Sequence, residues 1–237
     1  MYRYFIDKTE NEKFIIADDD VHHIKNVVKL KIGEKIECVF QNSAFLCEIS
    51  EIENNYISAK KIELISSSNP TVKKVLLMGI IREQKWDFLL QKAVELGVEE
   101  IVPISFKRNV VKIEEKKETA KLIRWQSIID SAAKQSKRLT VPQIKPIVRK
   151  LSDIKTYKSD LNVVAWEEEK SLSFKEAITK NDFNSISFIV GPEGGIEESE
   201  IKQLQTIGFE KIHLGKNILR AETAPLYVLS SLIYEER

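Results

Sequence analysis

Apolar and polar positions alternate with a period near two from the N-terminus to about Ile65, through YRYFI, KFIIA, EKIECVF, AFLCEISEI and YISAKKIEL. That alternation predicts short strands, each burying one face. DDD, IGE, QNS and ENN separate the runs and read as turns. A small β-rich domain is expected. Ser66-Ser67-Ser68-Asn69-Pro70 then breaks the pattern with turn formers and a proline that has no N–H to give to a ladder. The expected domains are therefore residues 1–69 and residues 70–237.

Past that point short apolar runs alternate with longer stretches of helical period, beginning with the strand VKKVLLMGI. Trp86, Leu89, Leu90, Ala93 and Val94 fall on one helix face, and Gly97 stands where a left-handed cap is wanted. Trp125, Ile128, Ile129, Ala132 and Ala133 repeat the spacing, and Leu226, Leu229 and Ile233 are expected to turn the last helix toward the core. NVVAW, SISFIV and KIHL supply further strands. Strands alternating with helices predict an α/β fold with a mainly parallel sheet.

Composition narrows the classes. The chain has 237 residues, 43% of them hydrophobic, which is enough for one large core or two smaller ones. No run reaches the roughly 18 uncharged apolar residues of a membrane span. The N-terminus lacks a secretory pattern, so a cytoplasmic protein without membrane attachment is expected. Cys38 and Cys47 lie in apolar strand-like runs and read as buried thiols. His22, His23 and His213 are too scattered for a metal site. With 37 basic residues against 36 acidic ones, only local patches can argue for nucleic acid. One is Lys25, Lys29 and Lys31, three cations in seven residues without an acid; a solvated charged face would look the same.

Two loops carry candidate chemistry. SISFIV runs into Gly191, Pro192, Glu193, Gly194 and Gly195 before an acid-rich helical start containing Glu197, Glu198 and Glu200. Loops at the carboxyl ends of strands are where open α/β sheets bind ligands. Acids there oppose a phosphate, so a nucleoside triphosphate is disfavoured. A tight connection with no ligand fits the spacing equally well. The second loop, His213 to Pro225, sets Ile218 and Leu219 beside Arg220 and Glu222, which suits a slot for a flat apolar ring or a structural Arg–Glu pair. Thr223 stands at the position of a helix cap.

GPEGG followed at this distance by LGKNILRAETA resembles the cofactor loops of the SPOUT methyltransferases, specifically the family that methylates N3 of a uridine in small-subunit (16S) ribosomal RNA. HHIKNVVKLKIGE, QKAVELGVEEIVPI and RWQSIIDSAAKQSKRLTVPQI extend the resemblance over nearly the whole chain. It implies a small N-terminal PUA-like β-barrel domain and a C-terminal α/β domain tied as a trefoil knot. It further implies a homodimer and S-adenosyl-L-methionine held bent between three loops: Ala165, Trp166 and Glu167; Gly191 to Gly195; and Leu214, Gly215, Asn217, Ile218 and Leu219.

S-adenosylmethionine brings its own electrophilic methyl, so no metal is called for. The weakly acidic uridine N3–H must be lost and the resulting charge stabilised, which points to Arg220, with Glu222 positioning it or taking the proton. The resemblance makes Arg3, His22, Lys25, Lys29, Lys31, Arg108, Gln135 and Arg138 candidates for contacting RNA or the assembled small subunit. Lys29 stands where the family commonly has arginine, leaving a point charge in place of a bidentate fork. A SPOUT enzyme for another ribosomal or transfer RNA site, and a non-catalytic ribosome-assembly factor, are the rival readings.

Overall fold

The computed structural model describes residues 1–67 and 71–235, so the expected boundary at 69/70 lies outside the described residues. The chain divides into two compact units, one from the described residues of 1–70 with 133–140, the other from those of 71–132 with 141–237.

The first unit is a six-stranded sheet of β1 (Arg3–Phe5), β2 (Lys8–Glu10), β3 (Lys13–Ile16), β4 (Lys35–Phe40), β5 (Ser43–Ile52) and β6 (Ile57–Ser67), in the order β1-β4-β5-β6-β3-β2. β1 runs parallel to β4, and the other pairs are antiparallel. The inward residues of the alternating runs, including Tyr4, Phe14, Ile16, Ile36, Ile49 and Ile57, form its core together with the free thiols Cys38 and Cys47. Two expectations fail here. Ser66 and Ser67, taken as linker, pair with Ala44 and Ser43 in the β5–β6 ladder, because an antiparallel neighbour satisfies their backbone whatever their propensity. The three aspartates taken as a turn open a helix, α1 (Asp18–His22), where acids suit the positive end of the dipole. A π-helical turn, His23–Val28, follows and ends at Lys29 in left-handed conformation (φ 59°).

Segment 133–140 is bound into this unit by charge. Arg3, only 7% exposed, donates to Glu37 at 2.8 Å and to the carbonyls of Lys137 and Arg138. Lys137 reaches Glu37 at 2.8 Å and the Met1 carbonyl at 2.9 Å, and Lys134 pairs with Asp20 at 2.6 Å.

The second unit is a parallel sheet of β7 (Lys73–Gly79), β8 (Glu100–Ile104), β9 (Gln143–Ile144), β10 (Leu161–Ala165), β11 (Ser185–Val190) and β12 (Glu210–Ile212), in the order β12-β10-β11-β7-β8-β9. β7 and β11 are buried along nearly their whole length, as near-continuous apolar runs in a parallel sheet should be. The helices are α2 (Glu83–Glu95), α3 (Glu115–Gln135, ending in the first unit), α4 (Phe174–Thr179), α5 (Glu198–Ile207) and α6 (Ala224–Glu235). α2 buries the five residues its spacing selects, and Gly97 (φ 82°) takes the left-handed cap. α6 buries Ala224, Pro225, Val228, Leu229 and Leu232, so the phase expected from Leu226, Leu229 and Ile233 is corrected. APLYVLSSLIY is apolar on nearly every side, and such a helix carries no periodic signal to mark its inner face.

Burial pushes the Glu37 carboxyl up, but hydrogen bonds and charge from Lys137 and Arg3 outweigh it and hold the group below the usual carboxylate range. The stabilisation is present above the unfolded pKa and lost as pH falls through the lowered folded value. Arg3→Met should cost about 3 kcal/mol in urea unfolding at neutral pH. Below pH about 4 the deficit should narrow without vanishing, since the two carbonyl contacts do not titrate. A deficit that is constant with pH would remove Glu37 from the account.

Candidate functional site

Register places the site. Ala165 of β10 pairs with Val190 of β11 on one side and with Ile212 of β12 on the other, so three adjacent parallel strands end at one level. The loops that leave them wall a cavity of about 510 Å³. That volume lies within the range of small-molecule sites, roughly 300–1,000 Å³. Every residue expected to hold the cofactor lines it except Gly194. A Cβ at Gly194 would stand 2.6 Å from the Arg108 carbonyl oxygen, so this glycine packs against the segment after β8.

The walls are braced from outside. A Cβ on Gly79, at the end of β7, would lie 2.5 Å from Pro192 Cδ, so glycine there lets the β11–α5 loop seat directly on the sheet. Gly195 adopts φ 71°, and its N–H donates to the Pro192 carbonyl at 2.9 Å. In the β10–α4 loop Glu169 binds Ser171 through its hydroxyl and its N–H (2.7 Å), the Lys170 N–H (3.0 Å) and Lys211 (3.3 Å). The Ser171 contacts lead in holding its carboxyl at about 2. Lys211 also sits 4.9 Å from the centre of the Trp166 ring. Glu200 accepts from the backbone of Glu197 and Lys107 at 3.1 and 3.0 Å, Glu197 pairs with Lys107 at 2.9 Å and Glu198 with Lys202 at 2.8 Å. The acids that open α5 are thus spent within the fold.

Arg220 stands exposed on the cavity lining, its carbonyl accepting from the N–H groups of Thr223 and Ala224 at 2.8 and 3.0 Å. Among the described residues Arg220 and Glu222 do not form an ion pair. Glu222 Oε2 lies instead 3.2 Å from the Lys85 ammonium, in a contact that misses hydrogen-bond geometry. Burial pushes the Glu222 carboxyl up, but its own backbone N–H, Lys85 and Arg220 outweigh that and leave it lowered. Lys85 was not singled out by the sequence reasoning. The signal was present, because a lysine in the first turn of α2 opposes the helix dipole and asks for a reason.

Of the RNA candidates, Arg3 is buried and holds segment 133–140 through two of its carbonyls. His22 and Lys25 line a second cavity of about 430 Å³ in the first unit, where Lys25 Nζ donates to the Glu53 carbonyl at 3.2 Å. Lys29 and Lys31 are exposed and make no ion pair among the described residues; exposed Val27 and Ile32 lie beside them. Gln135 is exposed, Arg138 donates to Thr140 at 3.2 Å, and exposed Arg108 belongs to the second unit. Among the described residues no group of three or more His, Cys, Asp and Glu could hold a metal ion, and no helix is long and apolar enough to cross a membrane.

A parallel sheet with a ligand-sized cavity at its strand ends, in a chain that also has a compact β unit, defines a two-part α/β protein with a small-molecule site. Residues 67–233 match the model of the RNA methyltransferase domain and residues 16–62 that of the RNA methyltransferase PUA domain. The chain belongs to this RNA methyltransferase family, with a SPOUT-type α/β fold and a PUA-type N-terminal part. It is 32% identical to ribosomal RNA small subunit methyltransferase E of Bacillus subtilis (strain 168), over 99% of this chain and 97% of that one. It is 37% identical to the protein of the same name in Mesomycoplasma hyopneumoniae (strain 232), over 98% and 99%. A crystal structure of the Neisseria gonorrhoeae protein of that name, bound to S-adenosyl methionine, superposes with a TM-score of 0.86 at 29% identity, over 99% of this chain and 98% of that one.

Gly79→Ala forces either β7 or the Pro192 loop to move. Unfolding should cost about 1–3 kcal/mol less, and amide exchange should quicken at 191–195 before it does in the β7 core. A variant with unchanged stability and exchange would show that the loop does not depend on this contact.

Proposed function

We propose that this chain transfers a methyl group from S-adenosylmethionine to N3 of a uridine in small-subunit ribosomal RNA. The observation that carries the reading is the convergence of three strand-end loops on one cavity, with Arg220 beside an apolar wall of Val190, Ile196, Leu214, Ile218 and Leu219. That wall suits the adenine face of the cofactor, and Glu167 and Asn217 on the same lining offer an acceptor and an amide for its ribose and amino acid ends. The acid-rich start of α5 is no obstacle, because S-adenosylmethionine carries no phosphate.

The cofactor supplies an electrophilic methyl, so the protein's work is to align the attacking nitrogen and to favour its deprotonated form. Arg220 stabilises the negative charge that loss of the N3 proton spreads over N3, O2 and O4. Glu222, with its lowered carboxyl and cationic neighbour, is a weak proton acceptor and acts by position. The Watson–Crick edge must be presented unpaired. Lys29, Lys31 and His22, with Lys25, Gln135 and Arg138, form the RNA-facing set of the first unit, and Arg108 is an RNA contact of the second by itself; domains of 1–69 and 70–237 divide RNA binding from methyl transfer. Exposed Ile218, Tyr227 and Ile233, in and after the β12–α6 loop, support a homodimer through this end of the chain.

The test is methyl transfer from labelled S-adenosylmethionine to small-subunit particles and to naked small-subunit RNA from cells lacking this protein, followed by nucleoside analysis. The expected product is 3-methyluridine, with the preferred acceptor reporting whether assembled RNA is needed. A different methylated nucleoside, or transfer only to another RNA, overturns the substrate; cofactor binding absent at millimolar concentration overturns the enzyme. Arg220→Ala should lower kcat at least about a hundredfold while changing cofactor Kd less than about threefold. Equal losses in binding and rate would deny it a transition-state role.

A further inference from the structure

Lys85 sits in the first turn of α2 and reaches the lining of the cavity between two loops that, among the described residues, have no other ion pair in common. Its ammonium lies 3.2 Å from Glu222 Oε2 on the β12–α6 loop and 3.9 Å from Glu193 Oε1 on the β11–α5 loop. The same Glu193 oxygen accepts the backbone N–H of Arg82, at 3.3 Å, from the N-cap position of α2. Glu222 Oε2 is buried and has no hydrogen-bond donor among the described residues, so Lys85 is its only counter-charge at contact distance there.

The chemistry makes this a demand and not a coincidence of surface charge. A carboxylate oxygen held from water without a donor is costly unless a cation stands beside it. A lysine at the start of a helix is disfavoured by the dipole unless acids compensate it. Lys85 and Glu222 therefore offset each other's penalty while the β12–α6 loop is drawn to the start of α2, and Glu193 brings the β11–α5 loop to the same ammonium.

We propose that Lys85 is a positioning residue that fastens the β11–α5 loop to the β12–α6 loop, and so sets the width of the cofactor cavity. The inference rests on the proposed use of that cavity. Lys85 touches neither the methyl nor the base; it acts through Glu193 and Glu222 on the loops that carry Pro192 and Arg220. Its loss widens the slot that must grip the cofactor and leaves the reacting groups themselves intact.

Lys85→Met and Lys85→Arg, compared with wild type in full-length protein, test it by calorimetric titration with S-adenosylmethionine, by kcat at saturating cofactor and by amide exchange without ligand. Lys85→Met should weaken cofactor binding about tenfold or more with kcat reduced less than about threefold, and should speed exchange at both 191–195 and 220–223. Lys85→Arg should restore binding to within about threefold, because it keeps the charge. In the Lys85→Met background Glu222→Gln should add little further loss. Unchanged affinity and exchange in Lys85→Met overturn the proposal, as does failure of Lys85→Arg to rescue. Should Lys85→Met fail to fold, Glu193→Gln with Glu222→Gln removes the anions instead, and faster exchange in both loops is again required. Wild type that binds no S-adenosylmethionine would overturn the cofactor reading, while the exchange comparison would still decide whether Lys85 joins the loops.

Discussion

The site depends on the level at which three parallel strands stop. Parallel pairing fixes register by evenly spaced ladder bonds, and here it sets Ala165, Val190 and Ile212 side by side. Had one strand ended two residues later, its loop would leave the sheet roughly 6 to 7 Å farther on and could not meet the others. The cavity is thus a property of the sheet before it is a property of any side chain. Gly79 and Pro192 extend the same logic sideways, since the β11–α5 loop can lie against the end of β7 only where no Cβ intervenes.

Much of this was legible in the sequence because the elements involved have one-sided or fully buried patterns. α2 and the alternating strands of the first unit bury the residues that their spacing marked. Legibility failed where local chemistry is ambiguous. Asp18 to Asp20 are turn formers and equally good helix openers, and only the buried Val21 and Ile24 behind them decide for the helix. Ser66 and Ser67 are poor strand residues that a long antiparallel partner carries along. α6 has apolar residues on nearly all sides, so its phase is chosen by what it packs against.

The functional residues divide in the same way. The glycine-rich and LRAETA loops were legible as motifs, and all but one of their expected cofactor residues face the cavity. Pairings between distant side chains were not. Arg3 was an RNA candidate through the resemblance alone, and its guanidinium is turned onto Glu37 and two carbonyls of segment 133–140. Glu222 looked like the partner of Arg220 two residues away and is instead the partner of Lys85. Side chains two apart in a loop carry no geometric obligation to meet, whereas a buried carboxylate does carry one to find a cation.

That last pairing bears on how the proposed reaction loses its proton. Two carboxylates at this site are weak bases. Glu222 is held down by its backbone, Lys85 and Arg220, and Glu169 is saturated with donors at about 2. His213 Nδ1 accepts from the Gly215 N–H at 3.2 Å, so that nitrogen is engaged within the loop. What the cavity does offer is positive charge. A fixed cation lowers the free energy of a uridine anion and of the transition state leading from it, so the N3 proton can pass to water while Arg220 retains the charge it leaves behind.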